Sequence, residues 1–345
     1  MNQSNNTQDE TYCKFHEPDS STERWIKFIA LLVFIGIGFI GNVFVIILAV
    51  KFTVKRSLHF LIINVAVADI LFDLANLFFE VTAFFRYDLY NRVNVALAET
   101  FCKTSVYIYR VFLSESLLTL LIISIERYRV TSQTVRISRP FSRKRGLVII
   151  ACSWIIALVT NLYLPIFRNV VKRNSAYVCI TKLERTPAIV FYLISMNSKL
   201  FFCLAMVVVC ILTLRKLSKV SAIESSISYY QRLKRKKRIR GAVNMVLYSL
   251  LLSSSWFIPT YTLAILMNFT RLFATYCIDW RTIQFLAFEF FPILNICLNP
   301  CIYCACLTDF RKAARRLLCC DNRISVSREN TIETVTAHRL ESTRM

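Results

Sequence analysis

Long apolar stretches recur along the whole 345-residue chain. Three of them, 28–50, 146–167 and 241–270, contain no Asp, Glu, Lys or Arg. A helix needs about 20 predominantly apolar residues to cross the hydrocarbon core of a bilayer. A soluble domain intersperses charges more often than this. The pattern therefore predicts membrane-spanning helices rather than a single globular core.

Four further apolar stretches are interrupted by a few charges each, which brings the number of predicted spans to seven. In chain order, spans one to seven are 28–50, 57–84, 104–125, 146–167, 187–214, 241–270 and 282–307. We predict an all-α membrane protein, a seven-transmembrane helix bundle. Its predicted parts are a tail (1–25), the transmembrane domain (26–308), a short cytoplasmic helix (309–320) and a second tail (321–345).

Lys and Arg are distributed unevenly between the segments that connect the spans. The tail 309–345 and the connections after spans one, three and five contain 28 of them, whereas the tail 1–25 and the remaining connections contain 12. Because Lys and Arg accumulate on the cytoplasmic side, the N-terminus is expected outside the cell. The net charge of +22 therefore indicates contact with membrane lipids and no nucleic-acid partner. The basic run 234–240 before span six fits anionic lipid of the inner leaflet.

Several short polar side chains lie inside the predicted spans at a similar depth. A carboxylate such as Asp69 is costly in a membrane and normally faces the bundle interior. Oxygen ligands suit a hard cation such as sodium, but a water network or hydrogen bonds between helices would use the same groups. The residues of this predicted cluster are Asn42, Asp69, Ser116, Asn295 and Asn299.

Motifs near the ends of two spans carry a resemblance to a known family. Glu126-Arg127-Tyr128 stands at the end of span three, with Arg127 25 residues after Cys102, and span seven ends in Asn299-Pro300-Cys301-Ile302-Tyr303. Gly41-Asn42 in span one, Asp69 in span two and Trp154 in span four complete the pattern. Over about residues 26–320 the chain resembles the rhodopsin-like (class A) G-protein-coupled receptors.

The resemblance implies roles for particular residues. Arg127 would hold the inactive state through Glu126 and meet the G protein when the helices open. Asp69, Ser116, Asn295 and Asn299 would form an allosteric sodium pocket, and no other cofactor is implied. The implied coupling and switch residues are Glu126, Arg127, Tyr128, Phe257, Pro259, Asn299, Pro300 and Tyr303.

The resemblance also implies covalent modifications. Cys102 and Cys179 match the disulfide between span three and the second outer loop, and Cys13 and Cys277 match an additional disulfide of the chemokine-like branch. After span seven, Phe310, Ala314, Leu317 and Leu318 fall on one face of an amphipathic cytoplasmic helix. The implied palmitoylation sites are Cys319 and Cys320, and Asn2 and Asn5 fit the glycan acceptor pattern.

Some positions depart from the family pattern and bear on the activation switch. Span five contains no proline, and Cys210 stands where a tyrosine is common. In span six, Phe257 is the aromatic residue two places before Pro259, and Ser253 replaces the usual phenylalanine.

The ligand class follows first by elimination. Tyr109 occupies the place of the aspartate that binds amines, and Ile293 occupies that of the lysine that binds retinal. The outer half instead contains charges of both signs with aromatic side chains, which suits a peptide; a lipid or other anionic ligand is the alternative, and pairing of these charges with one another would need no ligand. The predicted pocket residues are Glu80, Tyr109, Arg110, Lys199, Tyr261 and Glu289.

The predicted function is that of a receptor at the plasma membrane and not of an enzyme. All three histidines lie outside the span interiors, so metal or acid–base catalysis has no candidates there. A transporter would show repeated halves and broken helices, and the sequence shows neither. The predicted partners are an extracellular ligand, a heterotrimeric G protein, and arrestin and receptor kinases acting on the C-terminal tail.

Overall fold

The computed structural model of the protein describes residues 20–52, 57–84, 95–132, 143–173, 176–181, 186–219, 229–269, 282–283 and 285–318. Within these ranges, long helices form at all seven predicted spans and pack into a bundle. The helices of spans one to five are long and apolar enough to cross a membrane by themselves.

Most of the helices extend beyond the apolar stretches that predicted them. Span three was predicted as 104–125 and forms a helix from Val95 to Ser132. Hydropathy marks only the part of a helix inside the hydrocarbon, whereas the backbone hydrogen bonds continue into the polar ends. The span helices are Ser21–Ile47 with a π-helical turn Leu48–Phe52, Ser57–Phe84, Val95–Ser132, Arg143–Asn161 with Tyr163–Phe167, Thr186–Lys219, Tyr229–Phe269, and the π-helical Phe285–Phe290 with Phe291–Cys306.

The start of span one has a sequence-encoded cap. The Ser20 hydroxyl accepts a hydrogen bond from the Glu23 backbone amide at 3.2 Å, and the Glu23 carboxylate accepts one from the Ser20 amide at 2.8 Å. This reciprocal capping box satisfies two amides that have no partner inside the helix.

The predicted cytoplasmic helix forms at Thr308–Leu318, directly after span seven. Leu307 adopts an extended backbone conformation, which breaks the helix, and the two helical segments meet at 97°. Phe310 and Ala313 are buried against the bundle, while Leu318 is 73% exposed. The inward face of this helix is thus shorter than the apolar face predicted from the sequence, and Leu318 remains available to lipid.

A two-stranded antiparallel hairpin between spans four and five was not predicted. Strand β1, Arg168–Arg173, pairs with β2, Ala176–Thr181, and places Val170 opposite Cys179. β1 also contacts the helix of span three. Cys102, near the outer end of that helix, is disulfide-bonded; the side chain of Cys179 lies outside the described residues, so the pairing with Cys179 stays a prediction.

Gly41 allows spans one and seven to approach closely. A Cβ atom at this position would lie 2.9 Å from the Cγ of Pro300, closer than carbon atoms approach without displacement. Small residues are enriched where membrane helices pack tightly. Gly36, on the same helix, would have no atom within 4 Å of such a Cβ.

We therefore expect Gly41→Val to destabilise the bundle and Gly36→Val to have little effect. Adding side-chain volume to a packed contact costs roughly 1–3 kcal/mol. Both substitutions change helix propensity equally, so their difference isolates the contact with Pro300. Thermal unfolding of the detergent-solubilised variants measures this, and equal melting temperatures would show that Gly41 has no packing role.

Candidate functional site

The cytoplasmic part of the candidate site is a buried ion pair on span three. The Arg127 Nε donates to Glu126 Oε2 at 3.0 Å, and the Arg127 Nη2 contacts the same oxygen. Glu126 is fully buried and Arg127 is 7% exposed. The helix continues for one more turn, where the Thr131 hydroxyl donates to the Arg127 carbonyl at 2.7 Å. The pairing predicted for these two residues is therefore present.

Tyr128, the third residue of the motif, faces a different neighbour. Its ring lies 5.8 Å from the Nζ of Lys216 on span five. This is within the range of a cation–π interaction. Spans three and five are thus joined at the same level as the Glu126–Arg127 pair.

Part of the predicted polar cluster assembles around Asp69. The Asn299 Nδ2 donates to Asp69 Oδ2 at 2.8 Å, which links spans two and seven across the bundle. The Ser249 hydroxyl on span six lies 3.5 Å from Asn299 Oδ1. Asn295 Nδ2 donates to the Ser253 hydroxyl at 3.1 Å. Ser253, one of the departures from the family pattern, therefore accepts a hydrogen bond within this cluster.

Asn42 does not join the cluster through its amide nitrogen. That nitrogen donates to the Gly38 carbonyl of its own helix at 3.0 Å, and the Asn42 Oδ1 has no hydrogen-bond partner among the described residues. The prediction that Asn42 bonds to the Asp69 group is not supported by these contacts, because a local backbone acceptor takes its donor.

A small cavity of about 30 Å³ borders the Asp69 cluster. Since a cavity needs roughly 10–15 Å³ to hold one water, this one has room for about two water molecules. Lys199 of span five contributes to its wall and is 7% exposed. The other lining residues are Leu113, Ser114, Ser116, Leu117, Leu120, Cys203, Ser253, Asn295 and Asn299.

A second buried carboxylate lies one helical turn after Asp69 and was not assigned a role from the sequence. Asp73 is fully buried, and neither of its oxygens has a hydrogen-bond partner in the described part of the chain. A Cβ on Gly38 would lie 2.8 Å from Asp73 Oδ2, so span one packs directly against this carboxylate. The signal in the sequence was the spacing of four residues from Asp69.

A third buried carboxylate, Glu115, connects spans two, three and four. Its Oε1 accepts hydrogen bonds from Asn64 Nδ2 at 2.7 Å, the Thr119 hydroxyl at 3.0 Å and the Ser153 hydroxyl at 2.8 Å. The Trp154 indole donates to Asn64 Oδ1 at 3.2 Å. Trp154, noted from the sequence as a family position, is thus part of a polar network whose other members the sequence analysis did not identify.

The outer half of the bundle contains the residues predicted to contact a ligand. The Tyr109 ring packs against Phe72 and Phe79 at centroid distances of 6.0 and 6.1 Å, and the Arg110 guanidinium lies 5.4 Å from the Tyr109 ring centre. Glu80 lies on span two and is 8% exposed.

The remaining predicted pocket residues do not line one common space. The Tyr261 hydroxyl donates to Asn197 Oδ1 at 3.1 Å and so joins spans five and six. Glu289 is half-buried in the π-helical turn before span seven. Lys199 faces the cavity beside the Asp69 cluster, which places it deeper than a residue confined to the outer mouth.

The predicted switch residues on spans six and seven differ in burial. Pro300 and Tyr303 are buried, and the Tyr303 hydroxyl has no hydrogen-bond partner among the described residues. Pro259 lies inside the helix of span six and is exposed. The Phe257 side chain lies outside the described residues, as do the predicted modification sites Asn2, Asn5, Cys13, Cys277, Cys319 and Cys320.

Comparisons with known proteins agree on one family. A family model described as "7 transmembrane receptor (rhodopsin family)" matches residues 41–303. The chain is 22% identical to melanocortin receptor 5 of Rattus norvegicus over 306 residues, covering 85% of each chain. It is 26% identical to the allatostatin-A receptor of Bombyx mori over 299 residues, covering 83% of this chain and 78% of that receptor.

A solved structure of known fold resembles this chain over most of its length. The crystal structure of squid rhodopsin superposes with a TM-score of 0.71 at 19% identity and covers 89% of this chain and 90% of that one. The structural match confirms the fold, and the family match and the relatives confirm a signalling receptor rather than an enzyme. The protein belongs to the rhodopsin family of seven-transmembrane receptors.

Proposed function

We propose that this receptor binds an extracellular peptide and transmits the signal to a heterotrimeric G protein. The observation that carries the coupling is the buried Glu126–Arg127 pair at the cytoplasmic end of span three. The proposed site of action is the plasma membrane with the N-terminus outside, which the excess of Lys and Arg on one side of the bundle supports.

The ion pair is suited to a two-state switch. A buried charge is strongly destabilising without its partner, so Arg127 remains with Glu126 while the helices enclose it. When the cytoplasmic ends separate, the guanidinium donors become available to acceptors on a G protein. The exchange preserves charge-assisted hydrogen bonds in both states. The tail beyond residue 318 would then present its Ser and Thr residues to kinases and arrestin.

The peptide assignment is supported by two observations. Two relatives are receptors named for the peptides melanocortin and allatostatin-A. In this chain the outer half contains the carboxylates of Glu80, which is 8% exposed, and of Glu289, which is half-buried. A basic group of a peptide would be attracted to these carboxylates, and a charged hydrogen bond contributes about 1.5–3 kcal/mol.

An anionic ligand is the second candidate, and the position of Lys199 favours it. Lys199 is almost fully buried on the wall of the cavity, and Arg110 lies on span three in the outer half. Two cations inside a bundle attract a carboxylate or phosphate of a lipid or another small acid. The two candidates predict different sets of sensitive residues.

We further propose that the Asp69 cluster binds sodium in the inactive state. Asp69, Asn295 and Asn299 supply oxygen atoms from two helices, Ser116 adds a hydroxyl, and the adjoining cavity has room for water. An ion that binds the inactive bundle stabilises it by mass action.

The Arg127→Ala variant should reach the cell surface and lose agonist-stimulated G-protein activation, because the donors that meet the G protein are removed. A G-protein reporter in cells treated with an agonist from a peptide screen measures this. Lys144→Ala, which removes an exposed cation at the start of span four, is the matched control and should signal normally. Full signalling by Arg127→Ala would refute the assigned role.

The Asp69→Asn variant should lose any response to sodium. We expect the melting temperature of the purified wild-type receptor to rise when choline chloride is replaced by NaCl at constant ionic strength. A ligand at 100 times its Kd adds about 2.7 kcal/mol to the free energy of unfolding. Asp69→Asn keeps the side-chain shape and should abolish the rise; the same rise in both proteins would contradict a sodium site at Asp69.

The Glu289→Gln variant should weaken a basic peptide agonist by tenfold or more, which corresponds to about 1.4 kcal/mol, without changing surface expression. Lys199→Met removes the buried cation and should weaken an anionic ligand instead. Dose–response curves for both variants separate the two ligand classes. If potency falls in Lys199→Met and stays unchanged in Glu289→Gln, the ligand is anionic and the peptide assignment fails.

A further inference from the structure

A lysine is buried near the middle of span five without an anionic partner. Lys199 is 7% exposed and makes no salt bridge with the residues that the structure describes. The charged group that acts on it is the Arg110 guanidinium of span three, which repels it. A buried charge without a partner is strongly unfavourable, and charges inside membrane spans normally pair with an opposite charge. As an ammonium, Lys199 therefore needs an anion that the described residues do not supply.

Lys199 lines a cavity that is large enough for a small ion. The cavity measures about 30 Å³, which is room for about two water molecules. Leucines of span three and Cys203 of span five form the apolar part of its wall, and Ser253, Asn295 and Asn299 contribute polar side chains from spans six and seven. A monatomic anion fits this volume, whereas a carboxylate or phosphate attached to a larger ligand needs more room.

Several hydrogen-bond donors border the same cavity. The Asn295 amide donates to the Ser253 hydroxyl at 3.1 Å, and the Asn299 amide donates to Asp69 Oδ2 at 2.8 Å. An amide group carries two N–H donors and an ammonium carries three, so each amide retains a second N–H. An anion accepts such hydrogen bonds and at the same time neutralises the ammonium. The polar side of the cavity is thus equipped to hold a negative charge.

Ser253 explains why this space is open. It lines the cavity and stands where a phenylalanine is usual in the family. A phenylalanine side chain would project far more volume from span six into a cavity of this size. The small side chain at position 253 therefore leaves room beside the buried lysine, and the two features of the sequence belong together.

We propose that the cavity at Lys199 binds a small monovalent anion of the chloride class. Chloride is little larger than a water molecule, and it tolerates apolar neighbours such as Cys203 because its hydration is weak. The bound ion compensates Lys199 and connects span five to span seven, so it stabilises the bundle. This goes beyond the proposed function, because the ion is not the agonist. It neutralises the buried lysine while a peptide occupies the outer half of the receptor.

The test is thermal unfolding of the purified full-length receptor without agonist and at constant sodium concentration. Sodium chloride is compared with sodium gluconate, whose anion is too large for the cavity. We expect the melting temperature to rise saturably with chloride, because an ion that binds only the folded state stabilises it by mass action. Bromide should act in the same way. Crystals grown in bromide should show an anomalous-scattering peak beside Lys199 Nζ.

Two pairs of variants assign the effect to the cavity. Lys199→Met should abolish the rise with chloride, and in gluconate it should melt at a higher temperature than the wild type, because the uncompensated charge is gone. Lys144→Met, which removes an exposed lysine, should keep the wild-type response. Ser253→Phe retains Lys199 but fills the cavity and should also abolish the rise, whereas Ser253→Ala should keep it. If Lys199→Met does not fold, the comparison of the two Ser253 variants decides.

The contrary outcomes are equally definite. Equal melting temperatures of the wild type in chloride and gluconate would mean that Lys199 is buried as a neutral amine, and they overturn the inference. A chloride response that persists in Lys199→Met or in Ser253→Phe places the anion elsewhere and overturns it as well. Because sodium is held constant and no agonist is present, neither outcome bears on the sodium site or on the peptide assignment.

Discussion

A polar group inside a membrane bundle must find its partner within the bundle, because lipid supplies none. Three of the buried acidic side chains, Asp69, Glu115 and Glu126, show the consequence. Glu115 holds spans two, three and four together through its neighbours, and the Asp69 cluster connects span two with span seven. Glu126 satisfies Arg127 on the same helix. These hydrogen bonds specify which helices pack together more precisely than apolar contacts do.

Glycine allows close approach at three further contacts of the bundle. Gly38 and Gly41 bring span one against Asp73 and Pro300, and a Cβ at Gly241 would lie 2.5 Å from the Cys306 carbonyl oxygen at the end of span seven. Arg238 Nε, one turn earlier on span six, lies 3.6 Å from Asp309 Oδ2 of the cytoplasmic helix. An outward movement of the cytoplasmic end of span six would have to separate both of these contacts.

The sequence predicted the features that depend on a pattern along the chain, namely the spans and the motifs. It did not predict the hydrogen-bond partners that distant helices bring together. The apolar stretches located all seven spans, and the motifs identified Asp69 with Asn299 and Glu126 with Arg127. The hairpin at 168–181 was missed because six-residue strands in a polar segment leave no strong periodic signal. Asp73 and Glu115 were visible as charges, but two of the three donors to Glu115, Ser153 and Asn64, lie 38 and 51 positions away along the chain. From the sequence, Ser253 was noted only as a departure from the phenylalanine that is usual in the family. In the structure its hydroxyl accepts a hydrogen bond from Asn295.

The cavity beside Asn299 provides a physical connection between the outer half and the Asp69 cluster. Lys199 and Asn299 line the same small space, and Asn299 is bonded to Asp69. If the proposed cation binds at Asp69, a ligand that moves Lys199 changes the electric field in this space and therefore changes the free energy of the bound ion. Linkage makes the effect reciprocal: the ion must alter ligand affinity by the same factor. A cation that stabilises the closed bundle therefore lowers agonist affinity, and substitutions of Lys199 should change this coupling even for a ligand that never touches the ion.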